Sequence, residues 1–245
     1  HHRTPRWFGN IGVLVIGTVF ARLILPVAPI GAARWAFQND IGLLNLVTGP
    51  RWIEGLVALL ALDLLIYSQH RLFHGIPALW RIHRMHHTDL DFDVTTGIRF
   101  HPIEILLSLV IKITAVIALG AHPSAVILFE IVLNRTALFN HANLALPAPL
   151  DRTLRLFVVT PDMHRVHHSV HLEETNSNFG FNLPWWDYAF GTYRAQPQDG
   201  HSEMTIGLPT VPWPDELVPA LTAAANCPQY LPGEARSPWW SGSVA

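Results

Sequence analysis

The chain has 245 residues, 50% of them hydrophobic and only 14% charged, with a formal charge of −2 and a mean hydropathy of +0.26. A soluble enzyme carries about a quarter charged residues, so the composition points to a membrane protein, and the near-neutral balance excludes an electrostatic footprint for nucleic acid. Fifteen histidines are the compositional anomaly, while Cys227, the single cysteine, rules out an internal disulfide and is compatible with a reducing cytosolic side.

His1 and His2 read as a tag remnant or a truncated start and carry no weight. Residues 10–33 form an apolar run interrupted by Arg22, Pro26 and Pro29, yet long enough for a membrane span of about 20 residues. A cleaved signal peptide is the alternative, disfavoured by the missing small-residue cleavage site and by the apolar segments that follow. Residues 34–51 read as a connection lying in the interface through Trp35 and Trp52.

A second apolar run, Trp52 to Ser68, ends just before His70 and places the first histidines at a membrane boundary. Asp63, two helical turns earlier, either supports a ligand imidazole or makes an inter-helix polar contact. His70 and His74 share a helical face, and His83, His86 and His87 follow at spacings that let each cluster present its rings to one point.

Asp89, Asp91 and Asp93 form a polar loop, and Arg99-Phe-His-Pro-Ile-Glu104 leads into a third run ending near Gly120. A turn at 121–124 and a fourth run, Ala125 to Phe139, complete a membrane hairpin. His101 and His141 come back to the side of His70, whereas His122 sits at the opposite tip and is not expected to bind metal. Lys112, Glu130 and Arg135 fall inside the hairpin, the last two close enough for a loose pair. Basic residues near the run ends (Arg3, Arg6, Arg71, Arg81, Arg84, Arg99, Arg152, Arg155 and Arg165, against Arg34 and Arg51) put the histidines and both termini in the cytoplasm.

The earlier spacing returns in His164, His167 and His168, followed by a turn-rich aromatic stretch from Asn176 to Tyr193 that reads as a cap across the cytosolic face. The expectation is an all-α fold: an integral membrane bundle of about four spans with a cytosolic helical cap. Three regions follow, namely an N-terminal segment 1–51, a catalytic domain 52–200 and a Pro-rich tail 201–245 that is poorly ordered from Pro228 onward.

His70, His74, His83, His86, His87, His141, His164, His167 and His168 make nine candidate ligands, and one metal takes at most five or six, so two metals are implied. Imidazole suits iron, zinc, copper and nickel, whereas magnesium and calcium prefer oxygen. For a lone histidine a hydrogen-bonded surface role is the ordinary alternative, and it is the reading adopted for His101 and His171, as second-layer or structural residues.

The series His70-x3-His74, His83-x2-His86-His87, Arg99-Phe-His-Pro-x-Glu104, His141-x-Asn143, His164-x2-His167-His168, Asn178-Phe-Gly and Trp186-Asp187 through Tyr193 resembles the fatty acid hydroxylase/sterol desaturase superfamily over residues 52–194. The resemblance implies a membrane enzyme with a non-haem di-iron centre that uses O₂ and external electrons to hydroxylate or desaturate a sterol, ether lipid or acyl chain. It assigns the nine histidines to the metals and Arg99, Glu104, Asn143, Asn178 and Asp187 to supporting positions. It also implies a lipid from the bilayer and an electron donor, ferredoxin or a b-type cytochrome with its reductase, as partners, and no nucleic acid. Zinc outranks ferrous iron in affinity and can replace it in purified protein. A di-zinc membrane hydrolase is the alternative, disfavoured because no HExxH helix supplies a carboxylate base. A metal transporter would instead place its histidines along a path at mid-membrane.

Overall fold

A computed structural model describes residues 3–46 and 49–208. Those residues are helical, with no strand among them beyond an isolated antiparallel bridge between Ser169 and Ile206. His1, His2 and the tail from residue 209, with Cys227, Trp239 and Trp240, lie outside the described residues.

The first apolar run is two helices instead of one. α1 (Arg3–Ile24) stops before Pro26, and α2 (Pro29–Gln38) restarts with a proline in its first turn, where the missing N–H costs nothing. α1 also begins well before the apolar run, because Arg6 and Asn10 are buried on it. α3 (Arg51–Gly75) continues unbroken past Ser68 through both His70 and His74. Pro77 then opens α4 (Pro77–His87), which carries the next three histidines.

α5 (Pro102–Leu119) and α6 (Pro123–Asn140) are the two arms of the expected hairpin, each 18 residues long. Gly120 turns between them in the left-handed region at φ 67°. Gly42, at φ 113°, meets that turn so closely that a Cβ on it would run into the Gly120 backbone. His122 sits at this far tip as the N-cap of α6, its ring centroid 4.8 Å from that of Phe37 in an edge-on arrangement, and it belongs to neither histidine group.

Three segments are long and apolar enough to cross a membrane, within Arg3–Leu46, Arg51–Gly75 and Pro102–Leu119. α6 has the same length as α5, but Glu130, Asn134 and Arg135 leave it outside that set. Small residues bring the bundle together: Ala33, Ala58, Ala121 and Ala125 pack with Leu62, Ile66, Val126 and Phe129. The outer surface is apolar, with Leu23 80% and Leu46 78% exposed, which belongs against lipid and not water.

Beyond α6 the chain folds back in short pieces: α7 (Ala148–Leu154), α8 (Pro161–His167), α9 (Leu172–Thr175), α10 (Trp185–Phe190) and α11 (Gly200–Glu203). These pieces pack at the end of the bundle that carries His70. Arg6 reaches across from α1 and is not a free basic group there: its Nη1 donates to Asp89 at 2.9 Å and its other nitrogen pairs with Asp93. Sequence reasoning counted Arg6 as interfacial charge and the aspartates as loop. Only the fold shows that they neutralise one another.

Candidate metal centre

The nine histidines come from four places: α3, α4, the C-cap of α6 and the α8 region. All are buried, none more than 2% exposed. They form two groups, His70, His74, His83, His87 and His167 in one, and His86, His141, His164 and His168 in the other, with ligand nitrogens inside each group within 4.8 Å of one another.

Each HxxHH cluster is therefore divided, contrary to the expectation that a cluster serves one point. His83 and His87, four apart, face the first group while His86 faces the second, and His167 parts in the same way from His164 and His168. The cause is helical geometry: residues one apart diverge by about 100°, whereas residues four apart nearly align. The groups adjoin, with the rings of His87 and His168 stacked at 4.6 Å and those of His83 and His86 at 5.5 Å.

Hydrogen bonds set the tautomers. Nδ1 of His70 donates to the Phe179 carbonyl at 2.8 Å, that of His83 to Glu104 at 2.7 Å, and that of His167 to the Ser177 carbonyl at 2.7 Å. In these three the Nε2 is buried with no partner, as are both ring nitrogens of His74, His87 and His168. Each such orphan costs about 1–3 kcal/mol, so a concentration of them calls for a cation. In the second group His141 donates from Nδ1 to Ala137 at 2.7 Å, and its Nε2 lies 3.2 Å from that of His86 and 3.1 Å from that of His164. Ligands each about 2.1 Å from one ion stand at such spacings. The donor set fits two transition-metal ions.

Burial disfavours a charged imidazolium, the form that cannot ligate. His141 is pushed down to about 4 and His167 to about 3, chiefly by burial, with the carbonyls of Ala137 and Ser177 opposing. His86, His87, His164 and His168 are driven well below the ordinary histidine value by burial and then by neighbouring imidazoles.

Most supporting residues act on the backbone around the rings. Asn178, buried at φ 50°, donates to the carbonyls of Met163 and Arg194 and accepts from the Arg194 amide. It thereby aims the carbonyls on either side of it, Ser177 at His167 and Phe179 at His70. Asp187 accepts from the amides of Phe179 and Gly180, both at 2.8 Å, and from Thr192 at 2.6 Å, and burial raises its pKa to about 6. Arg99 donates to the Met85 carbonyl, to Thr88 and to Asn10, fixing the C-terminal end of α4 against α1.

Other predicted residues lie elsewhere. Asp63 accepts from Asn182 and Trp186 and not from an imidazole, so of its two readings the structural contact is the one observed. His101 caps α5, accepting from the Ile103 amide, and Asn143 accepts from Arg165 at the surface. His171 bonds the exposed Asp199 away from the rings. Sequence reasoning missed Gly97, where a Cβ would stand 2.9 Å from the His141 ring, and the Arg6, Asn10 and Asp89 cluster behind α4. Neither has a spacing signature, since the partners are remote in sequence.

A cavity of about 360 Å³ runs from the first group between α1, α3, α5 and α6. His70, His83, Glu104, Phe100 and Phe181 line its inner end, and Ile66, Leu109 and Leu133 contribute to its walls.

An all-helical bundle with membrane-length helices and a buried double histidine cage defines the class of protein. The family model described as fatty acid hydroxylase matches residues 55–192, and the chain belongs to that family. The match takes in all nine histidines and leaves out α1 and α2. Among curated proteins, an ornithine lipid hydroxylase of Rhizobium tropici is 32% identical over 158 residues, 64% of this chain and 46% of the relative. The human alkylglycerol monooxygenase is 28% identical over 57% of this chain and 30% of its own length. A very-long-chain aldehyde decarbonylase of Oryza sativa is 27% identical over 78% of this chain and 31% of its own length. The chain thus spans less than half of each of these relatives. No solved structure matches.

Proposed function

We propose that this chain is a membrane-bound non-haem di-iron oxygenase that hydroxylates a C–H bond of a lipid with O₂ and electrons from outside. The observation that carries the reading is the buried all-imidazole double cage, opening onto a largely apolar cavity among membrane-length helices. Relatives named as a lipid hydroxylase and a monooxygenase support it. Hydroxylation is preferred to desaturation because the relatives named for C–H chemistry are of that type.

His70, His74, His83, His87 and His167 would hold one ion, and His86, His141, His164 and His168 the other. Two irons there supply the oxidising power that an unactivated C–H bond demands and no side chain provides. The protein's own part is placement. Glu104 and the carbonyls of Phe179, Ser177 and Ala137 keep their imidazoles in the tautomer whose Nε2 is free to ligate. Phe100 and Phe181 line the cavity beside His70 and His83 and offer an apolar surface to a lipid chain there. The lipid enters from the bilayer, and the cage lies on the cytoplasmic side, where ferredoxin or a b-type cytochrome with its reductase delivers electrons.

Iron-loaded protein in lipid membranes with an electron donor should convert one lipid class to a product heavier by one oxygen, detected by comparing lipid mass spectra with and without O₂. Unchanged lipids under full metal loading and reduction would remove the oxygenase reading.

A further inference from the structure

The cavity contains charge that C–H oxidation does not use. Lys112 of α5 lines it and lies 2.9 Å from Glu130 of α6, the two side chains 14% and 23% exposed. The partner foreseen for Glu130 from sequence was Arg135, but α5 supplies the cation instead. Arg22, in the last turn of α1, lines the same cavity and has no acidic partner among the described residues. Charges among membrane-length helices are costly unless matched. Glu104 at the inner end is taken up by His83 and Glu130 by Lys112, so Arg22, itself exposed, is the cation left without an acid among the described residues.

The surroundings give that charge a direction. Glu104, Ser108 and Lys112 succeed one another at four-residue spacing, so they share a face of α5, and all three line the cavity. Gln69, next to His70, donates to Ser108 at 2.8 Å, and Asn134 of α6 completes the polar strip. At about 1.5 Å per residue, Lys112 lies about 12 Å along α5 from Glu104, the residue that holds His83.

We propose that Arg22 and Lys112 bind an anionic group, a carboxylate or a phosphate, of the lipid that this chain oxidises. The bound anion holds the reacting carbon at the cage, roughly 12 Å from the charged end. Oxidation of this lipid rests on the oxygenase reading, whereas anion recognition rests on the cavity alone. Glu130 competes with the incoming anion for Lys112, and Arg22 tips that balance toward the lipid.

Binding to metal-loaded, unreduced protein in neutral detergent at pH 8 separates the two claims, because no turnover is needed. The probes are oleate, 1-oleoyl lysophosphatidate and oleyl alcohol, which distinguish carboxylate from phosphate and both from an uncharged head. At least one anionic probe should bind roughly 10-fold tighter than the alcohol. Arg22→Gln and Lys112→Gln should each erase that preference, Arg22→Lys should retain it, and Glu130→Gln should strengthen it by freeing Lys112. Metal content at the wild-type level shows that each variant is folded. Equal binding of all three probes, or a preference that survives both glutamine variants, overturns the inference and leaves the oxygenase reading standing. Lipids that bind as expected but are never oxidised leave recognition standing and remove the oxygenase reading.

Discussion

His86 and His87 are adjacent in the chain yet face different histidine groups, which gives single substitutions distinct metal signatures. His86→Ala should lower bound metal from two ions per chain toward one by emptying the group of four, and His167→Ala should do the same through the group of five. Both should abolish turnover. Metal analysis by mass spectrometry beside an activity assay checks this, and full retention of both metals in either variant would take that residue out of the cage. Glu104 touches a ligand and no metal position, so its effect is graded: Glu104→Ala leaves the Nδ1–H of His83 unpaired and should weaken metal affinity by about 10–100-fold. Chelator competition measures that loss, and undiminished affinity would show that Glu104 does not orient His83.

At the scale of elements, α1 does more than supply membrane-length apolar helix. Its first turns fold over the loop behind α4, where Arg6, Asn10 and Asp89 are buried together and Arg99 joins Asn10 to the end of α4. Removing one member of a buried ion pair costs about 3–5 kcal/mol, because the other charge is left without compensation. Arg6→Met should therefore lower the thermal midpoint in detergent and expose α1 to proteolysis, and the double variant Arg6→Met with Asp89→Asn should recover part of the loss. A lone Arg6→Met with an unchanged midpoint would mean that α1 is not docked by this pair. The family match begins at residue 55, so the α1 half of this brace, Arg6 and Asn10, lies outside the match, while Asp89 and Arg99 lie within it.

For the whole molecule, buried imidazoles such as His141 and His167 make stability depend on pH in a definite direction. A histidine has an ordinary value of 6.5, and the folded protein lowers His141 to about 4 and His167 to about 3. Above 6.5 both states hold these rings neutral and nothing is lost. As pH falls below 6.5 the unfolded chain takes up protons that the fold refuses, so stability is lost down to those lowered values, at up to roughly 1.4 kcal/mol per pH unit for each ring. Metal-free protein should thus show a thermal midpoint that is level from pH 8 to 7 and falls steadily from 6.5 to 5, while metal-loaded protein resists until protons displace the ions. A flat profile would mean that the rings are not buried as described. Much of this was legible in the chain: apolar runs marked most of the long helices because burial in lipid needs length and hydrophobicity, and the tight histidine clusters marked the candidate ligands that the fold gathers into two groups. His141 stood alone, yet its place at the returning end of a hairpin was enough to include it. The division of each cluster between two groups was decided only by tertiary structure, since it depends on which way each helix face turns toward its neighbours. The same is true of the Arg6 to Asp89 brace and of the charged cavity between α1, α5 and α6, whose members are far apart in sequence and meet only when the bundle closes.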